Sequence, residues 1–141
     1  MVADTVEALK VKYLGLIYND ALSEQGKADF WSTHIDAASA NGRNGGAHFV
    51  YLDGLAQQLG AGAGDTASSP FILGGSASSY TYADILVADL VDAMLRIWKD
   101  EFPAAYPFLT ALHKAVFDLE GIAAYVASGQ RKEALNGNGL G

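Results

Sequence analysis

The chain has 141 residues, half of them hydrophobic and 18% charged, with 16 acidic side chains against nine lysines and arginines. This is a globular composition, long enough for a sizeable core, and the net charge of −7 disfavours nucleic acid and anionic membranes as partners. The absence of cysteine excludes disulfides, thiolate metal sites and cysteine nucleophiles, and it fits a reducing compartment.

Met1-Val2-Ala3-Asp4 is neither basic nor followed by an apolar signal core, and it reads directly into a helix. No run reaches the roughly 18–20 apolar residues of a membrane span. A soluble chain in the cytoplasm or another reducing compartment is expected, without membrane insertion.

A first helix is predicted over residues 2–22. Val2, Val6, Leu9, Tyr13, Leu16 and Ile17 recur at spacings of three and four and form its main apolar face. Val11, Leu14 and Tyr18 give it a second, weaker strip. A surface helix needs one apolar face, so the second predicts contact with a partner or another domain.

Residues 23–26 break the pattern, and a shorter helical stretch follows around 27–38. Asn41-Gly42-Arg43-Asn44-Gly45-Gly46 reads as a loop. A further helix, about 46–59, carries Phe49, Leu52, Leu55, Ala56 and Leu59 on one face. Residues 60–70, rich in Gly, Ala and Ser, read as a flexible connection, and Phe71-Ile72-Leu73-Gly74-Gly75 as a short apolar anchor.

Thr81-Tyr82-Ala83-Asp84 specifies a helix start twice. The Thr81 hydroxyl can accept from the free N–H near Asp84, and the Asp84 carboxylate can reach back to the N–H of Thr81. Tyr80 and Ile85 stand where a hydrophobic staple would fix the entry angle. The helix that follows, to Trp98, is apolar almost all round, with Asp89, Asp92 and Arg96 as a thin polar stripe. It belongs in the middle of a helical domain.

Beyond Trp98 the chain turns through residues 100–103. Pro107 opens a helix with Leu109, Leu112, Val116 and Leu119 on its face. Gly121 punctuates, Ile122, Tyr125 and Val126 form a brief helix ending near Gly129, and 129–141 is an irregular tail. The sum is an all-α bundle of about six helices, a single domain over 1–141.

Chemistry-bearing motifs are few. Gly60-Ala61-Gly62-Ala63-Gly64 follows a helix rather than a strand, and no Gly-Lys-Ser/Thr occurs, so the linker reading outweighs a phosphate loop. Of the three histidines, His34, His48 and His113, none has a second ligand at metal-site spacing, and no metal is expected. Gly75-Ser76-Ala77-Ser78-Ser79 lacks the second glycine of a nucleophile elbow. Asp89 and Asp92 lie three apart, and Asp92 has Arg96 at i+4, which favours a structural role over acid–base work. Tyr18, off the main face, could line a pocket, although interface packing is the stronger reading.

These residues together resemble a family. Tyr80-Thr81-Tyr82-Ala83-Asp84 and the helix after it look like the capping box and central helix of the C-terminal all-helical domain of cytosolic glutathione transferases. Asp4-Thr5-Val6-Glu7-Ala8-Leu9-Lys10-Val11-Lys12-Tyr13-Leu14-Gly15-Leu16-Ile17-Tyr18 is similar to that domain's first helix in the pi and sigma classes. Gly42-Arg43-Asn44-Gly45-Gly46-Ala47-His48-Phe49 resembles a segment of protist and algal members. The segments Phe102-Pro103, Tyr106-Pro107-Phe108-Leu109 and Gly121-Ile122-Ala123-Ala124-Tyr125-Val126-Ala127-Ser128 resemble the closing helices, and Asn136-Gly137-Asn138-Gly139 the pi-class tail.

The resemblance implies that thiol activation and most glutathione contacts belong to a thioredoxin-like domain not found in this sequence. No catalytic residue is therefore expected here, and glutathione enters as a cofactor only if another chain supplies that domain. By the same resemblance Leu14, Tyr18, Asn136 and Gly137 match positions lining a hydrophobic-substrate pocket. The position whose carboxylate would reach glutathione on a partner subunit is Ala8, and the neighbouring Glu7 points about 100° around the helix. The leading expectation is a stand-alone module acting as a structural or protein-interaction subunit, through a protein partner or homodimer contact on the first helix. The alternatives are the helical half of a glutathione S-transferase that conjugates glutathione to hydrophobic electrophiles, or a ligandin-like binder of apolar small molecules.

Overall fold

The computed structural model of the chain describes residues 1–42, 44–61, 71–72 and 80–141. The fold is all-α, with seven α-helices and no strand among the described residues. The expected flexible connection lies outside the described residues from 62 on, and so does the serine-rich segment 75–79. Of the apolar anchor only Phe71 and Ile72 are described, both buried. The helices form two compact units, residues 1–52 with 134–141 and residues 53–133.

In the first unit α1 spans Val2–Tyr18 and buries Val6, Leu9, Tyr13, Leu16 and Ile17, the main face of its heptad-like pattern. It stops four residues short of the predicted end. Ala21 and Leu22 turn into the left-handed region at φ +48° and +54°, and the Leu22 N–H donates back to the Leu16 carbonyl at 3.1 Å. Helical periodicity cannot register such a reversal, because both residues are good helix formers.

The next helix, α2 (Glu24–Phe30), starts where the sequence reads as a break. The Ser23 hydroxyl accepts from the Gly26 N–H at 3.1 Å and caps the first turn. Gly26 is buried inside the helix rather than ending it. A Cβ there would stand 2.8 Å from the Asp20 Cβ and 3.2 Å from the Leu16 Cδ1, so glycine permits the close approach of α2 to the end of α1. A widened π-type turn, Trp31–Ile35, extends α2, and a single 3-10 turn follows at Ala37–Ser39. The third helix, α3, spans Ala47–Leu55 and buries Phe49 and Leu52.

The second unit opens with a π-type stretch at Ala56–Ala61 and is organised by α4 (Tyr82–Ile97) packed along α6 (Pro107–Phe117). The α4 side chains Val87, Ala88, Leu90, Val91, Ala93 and Met94 are buried, as its nearly all-apolar circumference requires. Leu109, Leu112 and Val116 answer from α6. Each fully buried Leu or Val stabilises by about 1.5–3 kcal/mol, so this pair dominates the unit. Residues 100–103, read as a turn, lead into a short helix, α5 (Glu101–Ala105). Buried Phe102 anchors it, with its ring 5.3 Å from that of Tyr106. Pro103 is compatible because it falls in the first turn, where N–H groups lack helical partners anyway. The last helix, α7 (Glu120–Ala127), has no buried side chain, and its expected face leaves Tyr125 and Val126 exposed.

Candidate functional site

The sequence-predicted binding residues all fall in the first unit, on α1 and the tail. Val11, Leu14 and Tyr18 are 64%, 44% and 53% exposed, on the side of α1 away from its buried face. Ala8, which the resemblance puts at the family's cross-subunit carboxylate, and its neighbour Glu7 are both exposed on the same helix. The tail meets α1 directly. The Gly137 N–H donates to the Tyr18 phenol oxygen at 3.0 Å. The Asn136 side-chain amide donates to the Tyr13 phenol at 2.9 Å and to the Leu140 carbonyl at 2.8 Å. Tyr18 and Gly137 are therefore in contact, Leu14 lies one turn before Tyr18, and Asn136 holds the neighbouring phenol.

Two clefts open elsewhere in this unit. One, of about 500 Å³, is lined by Asp4, Thr5, His48 and Tyr51 among others. A smaller one, of about 230 Å³, lies between α1 and α2 with Lys12, Asn19, Asp29 and His34 in its wall. Neither is lined by Leu14 or Tyr18. Burial, then the charges of Lys12 and His48, push the His34 imidazole below its ordinary pKa. Its ring stands edge-on to Phe30 at 4.9 Å. No group of three or more metal-ligating side chains occurs among the described residues.

In the second unit Asp84 is fully buried at the start of α4. Its Oδ2 accepts from the Thr81 N–H at 2.7 Å and from the Thr81 hydroxyl at 2.8 Å, while the Thr81 side chain also faces the Asp84 N–H, closing the box. Its other oxygen takes the Ile72 N–H at 2.7 Å, so one carboxylate both starts the helix and fixes the segment before it. Tyr80 is exposed and Ile85 half-buried.

The buried Asp92 collects more partners than the sequence pointed to. Arg96 donates to it at 3.0 Å, Arg131 at 2.5 Å, and the His113 Nε2 lies 2.9 Å from its other oxygen. His113 stacks on Phe117 with ring centroids 4.3 Å apart, and the Arg131 guanidinium covers the same ring at 5.0 Å. Burial alone would raise the Asp92 pKa, but the hydrogen bonds from His113, Arg131 and Arg96 outweigh it and hold the carboxyl well below the usual range. Only the Arg96 contact was legible, through its i+4 spacing. A carboxylate ringed by three cationic or polar donors is a fastening point, with no free oxygen edge for acid–base work.

Asp53 has a comparable role that no sequence pattern gave away. Its carboxylate accepts from the Leu109 N–H at 3.0 Å, at the first turn of α6. That helix begins at Pro107 with Tyr106 in the cap position, which offers no side-chain acceptor of its own. Burial pushes the Asp53 carboxyl up, partly offset by the N–H groups of Leu109 and Phe108.

These features define an all-helical fold, with a capped, buried helix organising the second unit and an exposed apolar strip on α1 in the first. The family model for the glutathione S-transferase C-terminal domain matches residues 48–129. That is more than half of the chain, and the chain belongs to this family. The match spans α3 to α7, while α1 and the tail lie outside it. No curated protein and no solved structure matches the chain. No helix among the described residues is long and apolar enough to cross a membrane.

Proposed function

We propose that this glutathione S-transferase C-terminal-type module acts as a structural or protein-interaction subunit, docking a partner chain or a second copy of itself through the outer strip of α1, and that it performs no catalysis alone. The observation that carries the reading is the exposure of Val11, Leu14 and Tyr18 on a helix whose other face is fully used by the core. Apolar side chains aligned over two turns are costly to leave in water, and such surfaces mark interaction sites. The resemblance also assigns thiol activation to a thioredoxin-like domain, and Ala8 removes the carboxylate that would reach glutathione on a neighbour.

The test is association. The native chain is expected to run as an assembly larger than 14.8 kDa, and Val11→Glu with Leu14→Glu is expected to return it to a monomer with unchanged helix content. A native chain that is a monodisperse monomer and co-migrates with no partner sinks the proposal. So does glutathione conjugation of an electrophilic aromatic substrate well above the buffer rate.

One observation favours a second reading, in which Leu14, Tyr18, Asn136 and Gly137 form one wall of an apolar-ligand pocket. The Gly137–Tyr18 hydrogen bond joins the two chain segments that the resemblance places there. On this reading Tyr18→Ala weakens binding of an apolar fluorescent dye by about tenfold, through lost aromatic contact. Unchanged dye affinity removes it.

A further inference from the structure

We propose that residues 136–140 form a detachable strap that caps the C-terminal turn of α1, so that the Leu14–Tyr18 surface is fully ordered only while the strap is docked. A helix leaves its last carbonyls without helical donors. In α1 the Gly15 carbonyl takes the N–H of Asn19 at 2.9 Å and the Leu16 carbonyl that of Leu22 at 3.1 Å. The Ile17 carbonyl is taken by the side-chain amide of Asn138 at 3.0 Å, from 121 residues away. The last turn of α1 contains no basic side chain that could serve instead.

The strap then grips both tyrosines that flank this carbonyl in sequence, Tyr13 through Asn136 and Tyr18 through the Gly137 N–H. Gly141 closes on Tyr13 as well. It lies at φ +82°, and a Cβ there would stand 2.4 Å from the phenol oxygen, so glycine is needed for that approach.

What makes the strap detachable is how it is held. None of residues 134–141 is buried, and the hydrogen bonds that hold the strap to α1 join neutral groups. Segments fastened in this way, without buried apolar side chains, open at a small fraction of global stability. With the strap away, the Ile17 carbonyl and both phenols lose these donors, and the turn carrying Tyr18 frays. A body landing on Leu14 and Tyr18 therefore selects the strapped form, and anything that displaces the tail weakens its grip. That consequence rests on the docking reading above; the capping itself does not.

Amide hydrogen exchange on the full chain separates the two. In an Asn136→Ala, Asn138→Ala double variant, the amides of Asn19, Asp20 and Leu22 are expected to exchange about tenfold faster, while those of α4 keep their native rates. Exchange at these three amides equal to the native chain overturns the strap. Tyr18→Phe is a milder companion that removes only the phenol acceptor. It is expected to speed exchange at Gly137, and an unchanged Gly137 rate likewise counts against the proposal. Because the strap lies within one chain, a monomeric chain with a protected α1 end refutes docking and leaves the strap standing. Native exchange in the double variant, with association still abolished by Val11→Glu and Leu14→Glu, does the reverse.

Discussion

Asp92 shows how one buried side chain can tie together distant parts of a helical unit. It receives hydrogen bonds from α4 itself, from α6, and from Arg131 beyond α7. Removing its charge leaves two guanidinium groups without their counter-charge. Asp92→Asn is expected to lower stability by about 2–4 kcal/mol at neutral pH, toward the lower end because water reaches both arginines. The folded-state pKa lies below the ordinary value of 3.8. The stabilisation is therefore complete above that ordinary value and is lost as pH falls toward the folded pKa. Urea titrations should show the gap between the native chain and the Asp92→Asn variant widest near neutrality and narrowing in acid. A gap independent of pH would contradict the charge-based account.

At the scale of elements, Gly26 is the sharpest test of the packing. Alanine in a helix interior normally stabilises by about 0.5–1 kcal/mol relative to glycine. Here the added Cβ meets Asp20 at 2.8 Å, so Gly26→Ala is expected to destabilise by about 1–2 kcal/mol through forced separation of α1 and α2. Thermal melts that show a gain would mean that the two helices are not constrained at that point. Gly26 also marks where sequence reading gave out. Composition reads it as a breaker, since nothing local distinguishes a glycine that ends a helix from one that admits a neighbour. The long periodic elements were legible: the buried face of α1, the apolar circumference of α4 and the proline-led start of α6 all follow from spacing alone. The brief helix read to end near Gly129 is α7, but the shortest helix was not legible. α5 is five residues held by Phe102 and carries no period to detect. The outer strip of α1 could be read in the sequence because three apolar residues fall off the main face. The His113 and Arg131 contacts to Asp92 and the cap that Asp53 gives α6 could not, because they join residues 21 to 56 positions apart.

For the whole molecule, the match to the glutathione S-transferase C-terminal domain family accounts for the helices α3 to α7. We propose that residues 1–141 fold as a single cooperative domain. Calorimetry is expected to give one transition whose calorimetric and van't Hoff enthalpies agree. Two resolved transitions would show the two compact units to be independent folding units. The Asn138 cap on α1 has a consequence in time as well as in space. The group that completes the first helix is synthesised 121 residues after the carbonyl it satisfies. Closing so long a loop is slow, because its entropy is lost before the contact forms. During synthesis the end of α1 therefore stays open until the tail has left the ribosome, and in refolding from denaturant its amides should gain protection in the last kinetic phase.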